Sequence, residues 1–143
     1  MKRQQGFSLI EVLIALVVLA FGLMGVAAMQ LKSLQSATEG YQRSVAVVAA
    51  VDAQERVWNL LANYPNCENI DADAVRALES DWIDHWSADA SVNPLRDANW
   101  DNSSVTLSDS CEFTIVISLK SMSSNGEDEY RYRFTLPNTG AAS

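Results

Sequence analysis

The chain has 143 residues, 48% of them hydrophobic, with 10 basic against 18 acidic residues and a net charge of −8. That length holds one domain rather than two. The acidic balance argues against nucleic acid as the main partner, because binding it takes basic residues that neutralise phosphates.

The order along the chain is uneven. Residues 1–6 form a short polar leader whose charges are Lys2 and Arg3. Between residues 7 and 29 the single charge is Glu11, and residues 12–29 carry none. A bilayer crossing takes about 20 apolar residues, so this run is long enough. No proline interrupts residues 7–63, where Ala, Leu, Val and Gln dominate. The pattern predicts one long helix to about Asn63, roughly 85 Å at about 1.5 Å per residue. Tyr64 before Pro65 ends it, since a residue preceding proline is pushed out of the α region.

The helix changes character at Gln30. Val47, Val51, Trp58 and Leu61 recur near helical spacing, with Gln42, Arg43, Asp52, Glu55 and Arg56 between them. That spacing predicts an apolar stripe that packs on the rest of the chain. Beyond it, Asp71 reads as the cap of a second helix, with Val75, Leu78, Trp82 and Trp86 on one face. Residues 93–102 read as loop. The stretches beginning at Cys111 and at Glu129 alternate as strands, with turn residues at 123–127 between them, so a hairpin is expected. Val105, Thr106 and Leu107 offer a third strand. The fold class is therefore α+β, a long N-terminal helix packed on a small antiparallel sheet. Residues 140–143 read as a frayed end.

Cys67 and Cys111 are far apart, with no CxxC spacing. An even count beyond a membrane segment suits a disulfide in an oxidising compartment, with two structural thiols as the alternative. Closing that loop stabilises the head by roughly 4 kcal/mol on the chain-entropy account.

The apolar run is too long for a cleaved secretory signal and continues into helix without a small-residue cleavage site. A membrane anchor with Lys2 and Arg3 on the cytoplasmic side fits better. Glu11 then needs a reason, because a carboxylate at bilayer depth costs about 2.5–3.5 kcal/mol even on the lenient insertion scale. Either it sits at headgroup depth, or it awaits a partner charge.

The residues GFSLIEVL at positions 6–13, after a basic leader, resemble the class III signal of type IV pilins and type II secretion pseudopilins. The resemblance covers about residues 1–35. It implies that prepilin peptidase cuts between Gly6 and Phe7 on the cytoplasmic side and methylates the new N-terminus at Phe7. It further implies that Glu11 meets the N-terminal amine of a neighbouring subunit as helices stack into a filament. A charge that is costly alone in lipid is then neutralised on assembly, and removing one partner of such a buried pair costs about 3–5 kcal/mol. Gly6 lacks a Cβ and lets catalytic carboxylates approach the scissile bond. Gly22 and Gly25 each weaken the helix by about 1 kcal/mol relative to Ala. They read either as ordinary membrane-helix glycines or as a soft point of the filament helix, since Ala28 stands where many major pilins carry proline.

Residues 12–31 are similar to the type IV pilus modification group of minor pilins, and residues 49–57 less closely so. This implies a subunit that primes pilus assembly and sits in the tip complex, with other minor pilins and the major pilin as partners. The expected division is a leader at 1–6, a transmembrane and filament-core helix at 7–29, and a periplasmic head at 30–143. The expected course is inner membrane first, then the cell-surface pilus, in twitching, adhesion or uptake. The I-type pseudopilin of type II secretion is similar over the same region, and a plain anchored periplasmic binding module is the reading from another class. Disulfide placement between Cys67 and Cys111 departs from the C-terminal loop of many pilins.

Nothing in the sequence asks for an enzyme, a cofactor or a metal. His85 is the single histidine and reads as helix surface; Asp71 and Asp73 read as helix capping rather than a calcium loop. Trp58, Trp82, Trp86 and Trp100 read as core between helix and sheet, with Trp100 the candidate for exposure. The Asn102 sequon reads as loop.

Overall fold

The structure, a computed structural model, describes residues 8–108, 110–120 and 127–138. The leader with Gly6 and Phe7, the turn residues 121–126 and the C-terminal residues 139–143 lie outside the described residues. The chain divides into two compact units, Met1–Thr38 and Glu39–Ser143.

Helix α1 runs Leu9–Leu61, helix α2 runs Ala72–Ser87, and the strands are β1 (Asn99–Leu107), β2 (Glu112–Lys120) and β3 (Glu127–Thr135). The architecture is α+β, as the patterning indicates, and is pilin-like in its long N-terminal helix and small antiparallel sheet. The last turn of α1 tightens through bonds from Asn63 N–H to the Leu60 carbonyl and from Tyr64 N–H to the Leu61 carbonyl, both 3.0 Å, and Pro65 follows. A short 3-10 turn, Cys67–Asn69, is capped by the Asn66 side chain. Asp71 caps α2 as expected, its side chain accepting from Asp73 N–H at 3.1 Å.

The sheet is an antiparallel meander in the order β1-β2-β3. The hairpin of β2 and β3 pairs Phe113 with Phe134, Ile115 with Tyr132 and Ile117 with Tyr130. The strand at Val105 starts earlier than the sequence indicates. β1 begins at Asn99, so Asn102 lies in a strand and not in a loop, and a register shift separates Asn99 from Ser104. There the Ser103 hydroxyl accepts Ser118 N–H at 3.1 Å, standing in for the ladder bond that the irregularity removes.

The stripe of α1 that faces the core is not the one the large residues mark. Ala46, Ala49, Ala50, Ala53 and Val57 are fully buried, whereas Val47, Val51 and Trp58 are 44%, 42% and 40% exposed. Leu61, the fourth member of that stripe, does pack at the core edge. The physical reason is close approach. With methyl side chains on the inner face, a neighbour reaches the α1 backbone itself, and the buried Trp82 indole N–H donates to the Ala49 carbonyl at 2.9 Å. Phe113, Ile115 and Ile117 fill the opposite side from β2. Trp100 is also corrected: it is 7% exposed, stands edge-on to Trp82 at 5.4 Å, and donates its indole N–H to the Leu95 carbonyl. Trp58 is the exposed indole instead.

Trp82→Ala should destabilise the head by about 3–5 kcal/mol in chemical denaturation, through a cavity plus the lost indole hydrogen bond. Trp58→Ala should change stability by no more than about 0.5 kcal/mol.

Candidate functional site

Two places carry the residues that the sequence singles out. The first is the start of α1, within the unit Met1–Thr38. Glu11 lies in the first helical turn, where the exposed amide ends of the helix favour a negative charge. Its backbone N–H donates to the Ser8 carbonyl at 2.9 Å, which opens the helix. Around it Leu9, Ile10, Val12, Leu13 and Ile14 are all exposed, from 49% to 87%. The helix holds an 18-residue window of mean hydropathy 2.8 with none of it buried. By length and composition this segment is able to cross a membrane, and an isolated helix that is apolar all round requires some cover. Gly22 and Gly25 are helical, and a Cβ on either meets no atom within 4 Å. No crowding within the chain demands glycine at these sites. Gly6 and Phe7, the expected cleavage pair, fall outside the described residues.

The second place is the head. Cys67 and Cys111 form a disulfide across a sequence separation of 44, with Cα atoms 5.7 Å apart. Both are buried. The bridge ties the turn after α1 to the residue before β2. Cys111 has φ of 60°, a left-handed conformation uncommon for a residue with a side chain. Its backbone is held on both sides, its N–H donating to the Ser108 carbonyl and its carbonyl accepting from Leu136 N–H.

Three polar clips fasten α1 to its neighbours within the head. Arg43 grips Asp128 with two nitrogens at 2.7–2.9 Å, and this hydrogen-bonded charge pair raises the guanidinium above its ordinary pKa. Tyr132 donates its hydroxyl to the Gln54 side chain at 2.9 Å. Asp52 accepts from both Arg56 and the Trp86 indole. The sequence marked Arg43 and Asp52 as surface charges between apolar residues; pairing with Asp128 and Trp86 depends on the fold. His85 is exposed and edge-on to Trp86 at 5.5 Å. Asp71 and Asp73 do not converge on a cation site: Asp71 caps α2, and Asp73 pairs with Arg76 at 2.8 Å. Among the described residues no three His, Cys, Asp or Glu side chains gather as metal ligands.

A contact that the sequence did not single out is Glu79. Its carboxylate accepts the backbone N–H of Val105 at 2.6 Å, reaching from α2 to the open edge of β1. No local pattern marks such a bond, because its partners are 26 residues apart.

Residues 1–27 match the prokaryotic N-terminal methylation motif, a span that includes Gly6, Phe7, Glu11, Gly22 and Gly25. This match, together with the apolar helix, supports a pilin-like, membrane-anchored chain. No curated protein and no solved structure matches the chain.

Replacing Cys67 and Cys111 together by Ser should lower the unfolding free energy of the head by about 4 kcal/mol, seen as a lower denaturation midpoint under non-reducing conditions. Gly22→Ala and Gly25→Ala should raise helix content in detergent, each favouring the helix by about 1 kcal/mol.

Proposed function

We propose that the chain is a non-enzymatic structural subunit of a type IV pilus, a minor pilin. In this reading prepilin peptidase removes residues 1–6 at the cytoplasmic face, and Phe7 becomes the methylated N-terminus. The chain waits in the inner membrane by its apolar helix, with the head in the periplasm, and then joins the filament with the major pilin and other minor pilins. Its place is the priming complex at the pilus tip, a placement supported by the likeness of residues 12–31 to the type IV pilus modification minor pilins.

The observation that carries this reading is Glu11. It is the sole charge between residues 7 and 29, it lies in the first turn of a helix with no cover of its own, and it falls inside the methylation motif. Cleavage places a positive amine four residues before it. Lone, the carboxylate disfavours hydrocarbon; opposite a neighbour's amine it is neutralised, so assembly removes a penalty that storage in the bilayer carries. Glu11 thus sets the register of one helix on the next. The disulfide suits the oxidising side of the membrane, where Lys2 and Arg3 orient the head.

The N-terminal peptide, read by mass spectrometry in membranes and in sheared surface filaments, tests this directly. A methylated peptide beginning at Phe7 is expected in both fractions. The same peptide confined to membranes would favour a type II secretion pseudopilin, and an intact Met1 start in cells with active peptidase would leave a plain anchor. Glu11→Ala should leave the chain in the membrane and lower its share of the filament fraction by at least about tenfold, given a pair worth a few kcal/mol.

A further inference from the structure

The geometry points to a peptide-binding groove on the head, between α2 and the free edge of β1, that takes an extended basic segment of a partner chain. A cleft of about 540 Å³ opens there, within the usual size of ligand sites. Its apolar lining includes Ile70, Val75 and Leu107 beside the disulfide, and its charged lining is Glu68, Glu79 and Arg76.

The wall formed by β1 is an unsatisfied sheet edge. β1 is the end strand of the meander. Ser108 N–H donates to the Glu112 carbonyl on the β2 side, so residues 104, 106 and 108 turn their backbone groups toward β2. Residues 105 and 107 therefore turn theirs outward, into the groove. Glu79 meets the Val105 N–H and proves the outward direction of that residue. The Val105 carbonyl and the N–H and carbonyl of Leu107 have no partner among the described residues. They form the acceptor–donor–acceptor row that an added strand needs.

Charge chooses the occupant. Glu68 accepts from the Asn138 amide and Glu79 from a backbone N–H, both neutral donors. One cation, Arg76, also lines the groove, and its guanidinium is paired with Asp73 in its own helix turn. The two carboxylates thus lack a cation among the described residues, and a lysine or arginine on the incoming strand supplies one. Glu79 also limits the register: it already fills the position where a strand carbonyl would meet Val105, so pairing centres on Leu107. The groove lies within the unit Glu39–Ser143 and owes nothing to the filament reading of the N-terminus.

The test uses the full chain in detergent micelles and two blocked peptides, acetyl-Thr-Val-Lys-Val-Thr-amide and its twin with glutamate for lysine. The basic peptide should protect the Leu107 amide from hydrogen exchange and bind roughly tenfold tighter than the acidic twin, the scale of one charge-assisted bond. Glu68→Gln with Glu79→Gln should bring that ratio close to one. Leu107→Pro removes the outward donor while sparing the β1–β2 ladder, and should abolish binding of the basic peptide with the near-ultraviolet Trp signal unchanged; if this variant unfolds, the Gln pair decides. Equal affinity for both peptides, or no protection at millimolar peptide, overturns the proposal. So does a Leu107 amide already protected in the free chain. Protection independent of protein concentration would then assign the groove to a segment of the same chain, and protection that grows with concentration to a second copy.

Discussion

The head depends on how closely the backbone of α1 is approached. A helix whose inner positions are Ala46, Ala49, Ala50 and Ala53 offers little apolar area of its own, and it gains stability by letting larger neighbours come near. Trp82 does so most fully, its ring buried and its N–H on a mid-helix carbonyl. With the Trp86 indole on Asp52, this contact fixes α2 against α1. Trp100 then stands edge-on to Trp82, which pins the start of β1. The sheet brings Phe113, Ile115 and Ile117 up to the same alanines. A larger side chain on the alanine face would push all of these apart at once, since close-packed interiors relax only in part.

The same choice determines the outer surface. With the small residues turned inward, Val47, Val48, Val51 and Trp58 face away from the head core. The large apolar residues from Leu9 to Leu34 are exposed as well. Large exposed apolar patches mark interaction surfaces or membrane contact. A chain that first lies in lipid and then packs among helices has both uses for them. In the proposed filament Glu11 would separate the two states, because hydrocarbon tolerates the apolar residues equally before and after assembly but does not tolerate an unpaired carboxylate. On that proposal the apolar surface would give adhesion without register, and the single charge would give register.

Much of this was legible from local pattern. The absence of proline marked α1, Tyr64 and Pro65 marked its end, Asp71 marked the start of α2, and period-2 alternation marked the hairpin. The class III signal stands in eight consecutive residues. What failed was the choice of helix face. Val47, Val51 and Trp58 have helical spacing and high hydrophobicity, and so do not differ in pattern from a core stripe; what decided the face was where the buried Trp82 ring lands, with its N–H on the Ala49 carbonyl. Trp100 was misplaced for a related reason. Its neighbours are polar, and its burial comes from a ring 18 positions away in sequence and a carbonyl at Leu95. Glu79 was illegible, because an acid on a helix surface acquires its role only when an edge strand arrives beside it.

The two edges of the sheet are treated differently, and the contrast bears on specificity. In β3 the pairs Phe113–Phe134 and Ile115–Tyr132, with the bond from Leu136 N–H to the Cys111 carbonyl, turn the even-numbered backbone groups toward β2. The outward groups then belong to residues such as Glu129, Arg131 and Arg133, all exposed and charged. Desolvating such side chains costs energy, so this edge resists casual pairing. In β1 the outward groups belong to Val105 and Leu107, which are apolar. Left open, they would invite any strand. Instead α2 walls the edge, and Glu79 takes one N–H out of play. One edge is blunted along its length, and the other is narrowed to a short register beside two carboxylates. A sheet arranged this way suppresses indiscriminate strand addition while keeping a single position where an extended, basic segment is favoured.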